Sequence, residues 1–284
     1  MFRDRLSKQI PVISLLTGAT VWGLIWYPYR ALAASGMPGW ISLILSYAAS
    51  FLLCLVFFRK KIFEFSWMLA WVGLSAGLCN IGYVLAMIDG VVMRVLLLFY
   101  LAPFWTVLLA RVILGERLTG TGFAVMLFSM MGAIVMFWSP GGILSTGRAE
   151  WLGLTAGFMF ALSNVLSKRA AEHGIEARSA SVSAGVVLAG LPLSFFLPIK
   201  TVFSLQAAVL LAAMGAAIFA VNWVMQFGLS RTPANRAIVI LLFELVVAAV
   251  SSYFLANEAM SAREWVGGAM IVAASLFSGK MEKG

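Results

Sequence analysis

The sequence predicts an all-α polytopic membrane protein with ten transmembrane helices, arranged as two five-helix repeats of inverted topology. Composition gives the class: 62% of the 284 residues are hydrophobic, only 11% are charged, and the mean hydropathy is +1.00. A soluble domain carries roughly a quarter charged residues, so this chain has too little polar surface to face water on all sides. Its long continuous apolar runs favour helices over the alternating segments of membrane β-barrels.

Charged residues, glycines and prolines mark the ends of about ten apolar stretches. All but the last are long enough to cross a hydrocarbon core of about 30 Å as a helix. In order, the predicted spans are Ile10–Ala33, Trp40–Phe58, Trp67–Ile88, Val91–Leu114, Thr121–Trp138, Trp151–Ser167, Ser179–Ile199, Leu205–Ser230, Ala234–Leu255 and Trp265–Gly279. Pro103 is expected to kink the fourth span, and Pro28 and Pro192 are candidates for kinks in the first and seventh. The first apolar run lacks a small-residue cleavage site and is expected to be a retained helix.

Polar residues recur at a constant offset of 142 positions, which is half of the chain. The recurring pairs are Asn80 and Asn222, Arg94 and Arg236, and Glu116 and Glu258. The first helix of each half matches at an offset of 138, which relates Arg30 to Lys168. We therefore predict two repeats, residues 1–142 and 143–284. Because five spans is an odd number, the second repeat is expected to be inverted, as in many secondary carriers.

Basic residues indicate the orientation of these spans. With the N-terminus inside, 15 of the 20 lysines and arginines lie in inner segments, and the outer ones are Arg30, Arg94, Arg148, Lys200 and Arg263. This positive-inside bias predicts cytoplasmic N- and C-termini. It also explains the formal charge of +9, together with attraction to anionic lipid, so no nucleic-acid partner is expected.

Glu244 is the strongest single-residue signal. It lies about ten residues into its predicted span, near the bilayer centre, with no charged residue one helical turn away. An ionised carboxylate in lipid costs several kcal/mol, so such residues usually face a cavity or a partner. Glu244 would then bind a substrate ammonium or another cation, or carry a coupled proton. The alternative is a protonated carboxyl that holds two helices together by a hydrogen bond.

Further polar and aromatic side chains are predicted at mid-span depth. Together with Glu244, the predicted substrate-binding set contains Trp22, Asn80, Tyr83, Tyr100, Asn164, Asn222 and Gln226. Asn80 and Tyr83 share one helical face, as do Asn222 and Gln226 on the related helix. Such amides and phenols could bind the amino and carboxylate groups of a zwitterion without carrying charge. Hydrogen bonds between helices are the alternative for each of them.

Aromatic and small residues form two other patterns. Trp22, Trp26 and Tyr29 form one stripe on the first helix; Trp22 could stack on a planar substrate. Trp26 and Tyr29, nearer the outer end, are expected to belong to the interfacial aromatic belt. The spacings Gly73-xxx-Gly77 and Gly153-xxx-Gly157 allow close helix approach, as packing seams or sliding surfaces.

The sequence offers no catalytic or cofactor motif. Residues 73–77 match G-x-S-x-G literally but lack the strand-to-helix turn that exposes a nucleophile. The single His173 with Cys54 and Cys79 makes no metal set, and neither a P-loop nor a G-x-G-x-x-G motif is present. We therefore predict that the chain is not an enzyme and has no cofactor or metal.

Two stretches resemble a known family. Leu98–Thr119, in which a helix containing Pro103 ends in a Gly-Glu-Arg turn, resembles the fourth helix of the EamA-like drug/metabolite transporter superfamily. Ile240–Ser261 resembles its second-half counterpart, although Glu244 stands where a proline matching Pro103 is common. The resemblance extends over the whole chain, and within the superfamily the chain is most similar to bacterial exporters of aromatic amino acids.

This resemblance implies a secondary transporter of the bacterial inner membrane. It would export small metabolites by alternating access, with aromatic or bulky apolar amino acids as the expected substrates. Export of lipophilic organic cations, with Glu244 as counter-charge, is the alternative, and an intramembrane enzyme or a channel is a more remote one. The expected partners are a small-molecule substrate and membrane lipid, and the sequence carries no signal for an oligomeric state.

Overall fold

The chain is all-helical in the computed structural model, which describes residues 2–59, 62, 66–115, 120–137, 147–170, 172–197, 201, 203–231, 240–241 and 243–278. The prediction of an all-α protein is confirmed, since these ranges contain no strand. Seven helical segments within them are long and apolar enough to cross a membrane: Gln9–Ala34, Gly39–Phe58, Trp67–Asp89, Val92–Leu114, Arg148–Arg169, Ile175–Phe195 and Leu205–Met225.

The helices follow the predicted spans closely. In the first half they are α1 (Phe2–Leu24), α2 (Trp26–Ala34), α3 (Gly39–Phe58), α4 (Trp67–Asp89), α5 (Val92–Phe99), α6 (Ala102–Leu114) and α7 (Gly120–Phe137). In the second half they are α8 (Arg148–Arg169), α9 (Ile175–Gly190), α10 (Leu205–Arg231), α11 (Phe243–Ala256) and α12 (Ala262–Ser278). The start of the ninth predicted span, including Arg236, lies outside the described residues, as does Glu116.

Two spans are broken at the positions that proline dictates. Ile25 separates α1 from α2, and Tyr100 and Leu101 separate α5 from α6. A proline ring clashes with the carbonyl four residues earlier and lacks an N–H donor, so a proline inside a helix kinks or breaks it. α1 nevertheless continues through Pro11. Four residues before Pro28 and Pro103 stand the last residues of α1 and α5. The kinks expected there are confirmed, whereas Pro192 lies in a 3-10 stretch after α9, Leu191–Phe195.

Glycines bring several helices into backbone contact. A Cβ atom added to Gly73 on α4 would lie 2.6 Å from the carbonyl oxygen of Ser181 on α9. One added to Gly157 on α8 would lie 2.6 Å from the carbonyl oxygen of Phe99 on α5. No larger residue fits such a contact without moving a helix. The small-residue spacings therefore form packing seams between helices.

Most of the helix packing joins the first half of the chain to the second. α4 packs on α8 and α9, α3 on α9 and α10, α1 on α10 and α11, and α7 on α12. Trp26 and Tyr29 lie in the core formed by these contacts, and each is only 1% exposed. The indole of Trp26 donates to Ser251 Oγ at 3.2 Å, and the Tyr29 hydroxyl lies 2.8 Å from Ser46 Oγ. The expectation that these two rings belong to the interfacial belt is therefore wrong.

Candidate functional site

A hydrogen bond between the two halves defines the candidate site. The Tyr100 hydroxyl donates to Glu244 Oε2 at 2.9 Å and lies 3.4 Å from the carbonyl oxygen of Leu241. Tyr100 stands in the break between α5 and α6, and Glu244 stands in the first turn of α11. Both side chains are partly buried. None of the ion pairs among the described residues includes Glu244, and its carboxyl group accepts a hydrogen bond from a phenol.

Aromatic rings form a cluster beside the Tyr100 member of this pair. The Phe99 ring lies 5.9 Å from that of Tyr100, 5.2 Å from that of Tyr83 and 5.0 Å from that of Phe160, measured between centroids. Phe99 ends α5, Tyr83 lies on α4 and Phe160 on α8, so three packed elements supply the cluster. Sequence reasoning missed Phe99 and Phe160, because phenylalanines are common in apolar spans and carry no polar signal.

Tyr83 carries an unused hydroxyl inside this cluster. Its side chain is 5% exposed, and its hydroxyl has no hydrogen-bond partner among the described residues. A buried polar group without a partner costs about 1–3 kcal/mol, so each such group calls for an explanation. A ligand bound beside Tyr83 would supply the missing partner.

Asn80 is engaged by its neighbours. Its Oδ1 accepts a hydrogen bond from the hydroxyl of Tyr47 on α3, and its Nδ2 donates to the carbonyl oxygen of Ala76 at 2.8 Å. This is the bond between helices that stood as the alternative to substrate binding. Tyr47 is 1% exposed and was not among the predicted site residues, although a tyrosine in mid-span is a signal that could have found it. A substrate role for Asn80 stays a prediction.

Replacing Tyr47 with phenylalanine tests the structural role of this bond. The variant removes the hydroxyl donor between α3 and α4 and leaves Asn80 Oδ1 without this hydrogen bond. We expect the free energy of unfolding to fall by about 0.6–1.7 kcal/mol, measured as a lower melting temperature in detergent. Tyr27→Phe is the matched control, because Tyr27 is 46% exposed. Equal melting temperatures for both variants would contradict the assignment.

No hydrogen bond joins Trp22, Asn164 or Asn222 to Glu244 in the described part of the chain. Trp22 is partly buried on α1 and packs against the core, and Asn164 is exposed on α8, one turn beyond Phe160 on the same face. Asn222 lies on α10, and its buried side-chain nitrogen has no hydrogen-bond partner in the described part of the chain. The side chain of Gln226 lies outside the described residues.

Neither a metal set among the described residues nor the apolar recess at the start of α10 coincides with the site. No group of three or more His, Cys, Asp or Glu that could hold a metal ion occurs among the described residues. Cys54 and Cys79 are buried and form no disulfide. An open apolar recess of about 420 Å³ lies at the start of α10, lined by Leu205, Gln206, Val209, Leu210 and Ala213, and contains none of the predicted site residues.

Comparisons with known proteins support a membrane transporter. Residues 147–279 match the model of the EamA-like transporter family. An uncharacterized transporter from Archaeoglobus fulgidus is 28% identical over 197 residues, which cover 69% of this chain and 70% of that protein. A solved crystal structure is similar with a TM-score of 0.66 over 96% of this chain and 99% of that chain. Its sequence identity is 16%, so that likeness concerns the fold alone.

Proposed function

We propose that the chain is a secondary transporter that exports amino acids with aromatic or bulky apolar side chains by alternating access. It would cross the bacterial inner membrane ten times, with both termini in the cytoplasm. The observation that carries the proposal is the hydrogen bond from Tyr100 to Glu244, which places an acidic group between the two halves and beside an aromatic cluster. Carrier sites lie at such repeat interfaces near the bilayer midplane.

The pattern of helix contacts supports two related halves, residues 1–142 and 143–284. Exchanging the first five spans with the second five converts the contact of α4 with α8 into one of α10 with α1. The contact of α4 with α9 becomes one of α10 with α3, and both exchanged contacts occur. The contacts of α3 with α9 and α7 with α12 map onto themselves. A two-fold relation between halves of five spans implies that the second half is inverted. In many carriers with inverted repeats, one repeat moves against the other during alternating access.

The chemistry of the site suits a zwitterion with an apolar side chain. The Glu244 carboxylate would accept hydrogen bonds from the substrate ammonium in surroundings of low dielectric, where such charge-assisted bonds are strong. The unpartnered hydroxyl of Tyr83 is a donor for the substrate carboxylate. The rings of Phe99 and Phe160 would cover the substrate side chain, since aromatic pairs favour the centroid separations seen in this cluster.

Export of lipophilic organic cations is the second candidate. The same carboxylate supports it, because Glu244 belongs to none of the ion pairs in the described part of the chain and would be a free counter-charge. An aromatic cluster beside a carboxylate also suits a cation that has no carboxylate of its own. The two candidates therefore differ in whether the substrate needs a carboxylate.

Counterflow in proteoliposomes tests the proposal. Vesicles preloaded with unlabelled phenylalanine are diluted into labelled phenylalanine, without a proton gradient. We expect labelled substrate to accumulate transiently and saturably, because a carrier exchanges solute without net flux. A channel would show neither saturation nor accumulation. Absence of counterflow for every amino acid, in protein shown to be folded, would contradict the amino-acid assignment and direct the test to organic cations.

A further inference from the structure

An ion pair joins the two halves at the end of the molecule that the basic residues place outside. Arg30 on α2 contacts Glu258, after α11, with 2.8 Å between Nη1 and Oε1. The Arg30 guanidinium also donates to the carbonyl oxygens of Met87, at 2.6 Å from Nε, and of Gly90. It lies 5.0 Å above the Trp26 ring as well. One side chain thus connects α2, the end of α4 and the segment after α11.

Glu258 is held from the opposite direction. Its second oxygen, Oε2, accepts a hydrogen bond from the backbone N–H of Val92 at 2.7 Å. Val92 begins α5, whose preceding residue provides no side-chain cap, so Glu258 caps a helix of the other half. Asn257 adopts a left-handed conformation with φ of 53°, which turns the chain so that the Glu258 carboxylate points back to α5.

Both partners are shielded from solvent. The side chains of Arg30 and Glu258 are 22% and 15% exposed. A pair on an open surface contributes little, whereas removal of one partner from a shielded and fully bonded pair leaves an uncompensated charge. A second pair, Arg94 with Glu264, joins α5 to α12 nearby, and Glu264 also accepts from the Ser261 N–H at 2.7 Å.

We infer that Arg30 and Glu258 form a latch that closes the outer end of the molecule between α2 and α11, and that the latch opens when the site faces outward. The inference rests on the proposed transport function. It follows from position: Glu258 lies 14 residues beyond Glu244 in the same segment of the chain. Between them, Ser251 on α11 accepts from the Trp26 indole and lies 3.4 Å from the carbonyl oxygen of Gly23. The latch therefore holds shut the interface that leads to Glu244.

At the opposite end, an arginine also joins the corresponding helices. Arg169 at the end of α8 donates to the carbonyl oxygen of Ile113 on α6 at 3.0 Å, and Arg169 is exposed. Exchange of the two halves relates the pair α8 and α6 to the first-span and ninth-span helices, the pair that carries the latch. Arg169 is next to Lys168, the repeat counterpart of Arg30, and provides a control arginine at the end that the latch does not close.

Accessibility of a buried reporter cysteine tests the latch without any substrate. Ser251→Cys, in a Cys54→Ala/Cys79→Ala background, places a thiol at a position that is 7% exposed under the latch. A membrane-impermeant maleimide is then added to intact cells. We expect Arg30→Gln and Glu258→Gln each to increase the labelling rate at least about tenfold, because each removes charge-assisted hydrogen bonds that favour the closed state. Arg169→Gln should leave the rate unchanged.

A second reporter separates opening of the latch from general loosening. Ser183→Cys lies at a position on α9 that is 1% exposed, and it should stay unlabelled in every variant. Unchanged labelling of the Ser251→Cys reporter in both latch variants would overturn the inference, as would faster labelling of both reporters. Faster maleimide labelling of Ser251→Cys that occurs only in inside-out vesicles would contradict the placement of the latch at the outer end. If labelling accelerates while counterflow is absent, the transport function fails and the latch stands.

Discussion

Replacing Glu244 with glutamine is expected to weaken binding of L-phenylalanine by at least about 30-fold, since truncating one partner of a buried charge pair costs about 2 kcal/mol or more. The glutamine keeps the size of the side chain and one acceptor oxygen for Tyr100 but removes the negative charge that would hold the substrate ammonium. Isothermal titration calorimetry of the purified protein in detergent measures the affinity directly. Its result does not depend on the rate of conformational exchange.

Two further variants define what the Glu244 result means. Glu150→Gln is the matched control, because that carboxylate contacts the backbone N–H of Gly147 at 2.9 Å, away from the site, and its loss should leave affinity unchanged. Tyr100→Phe removes one donor to Glu244 and should weaken binding several-fold. Unchanged affinity in Glu244→Gln would support the alternative in which a protonated carboxyl only holds two helices together.

Gly185→Ala is expected to be the most destabilising small substitution in the described part of the chain. A Cβ atom at this position would overlap the backbone of Gly73, including its carbonyl oxygen, and backbone atoms cannot turn aside as a flexible side chain can. One of the helices α4 and α9 must then shift, and overpacking of this kind costs about 3 kcal/mol. Size-exclusion chromatography of heated samples measures the melting temperature in detergent. We expect it to fall well below that of the parent protein.

Gly120→Ala provides the matched control for Gly185→Ala. Gly120 begins α7, and a Cβ atom there would meet nothing within 4 Å. Alanine also favours helix over glycine, so this variant should melt at or above the parent temperature. If the Gly185→Ala variant had the same melting temperature as the parent protein, α4 and α9 would not pack as closely as described.

Helix positions were predictable because the hydrocarbon core demands apolar runs of fixed length. The predicted Trp40–Phe58 and Trp67–Ile88 spans became helices Gly39–Phe58 and Trp67–Asp89. The breaks before Pro28 and Pro103 were also predictable, since a proline excludes the hydrogen bond and the space that a regular helix needs. The ten-span arrangement with two inverted halves stays a prediction, supported by the exchange of helix contacts.

Partners distant in the chain were not predictable from local patterns. Arg30 and Glu258 each belong to a pair of residues that recurs between the halves, yet 228 positions separate the two, and only helix packing brings their side chains together. The partner of Asn80 is Tyr47 for the same reason. The prediction that Trp26 and Tyr29 belong to the interfacial aromatic belt was wrong. An aromatic stripe near a helix end has the same sequence pattern whether it faces lipid or a neighbouring helix. Their hydrogen bonds to Ser251 and Ser46 come from other helices.

Competition in the counterflow assay tests the central claim most directly, namely that the site carries a zwitterion whose ammonium group binds Glu244. Labelled phenylalanine would be challenged with three solutes that share one ring: unlabelled phenylalanine, phenethylamine without the carboxylate, and 3-phenylpropionate without the ammonium. We predict that phenylalanine competes best, phenethylamine competes more weakly and 3-phenylpropionate does not compete. Equal or better competition by phenethylamine would favour the organic-cation exporter, and competition by 3-phenylpropionate as strong as that of phenylalanine would contradict the role of Glu244.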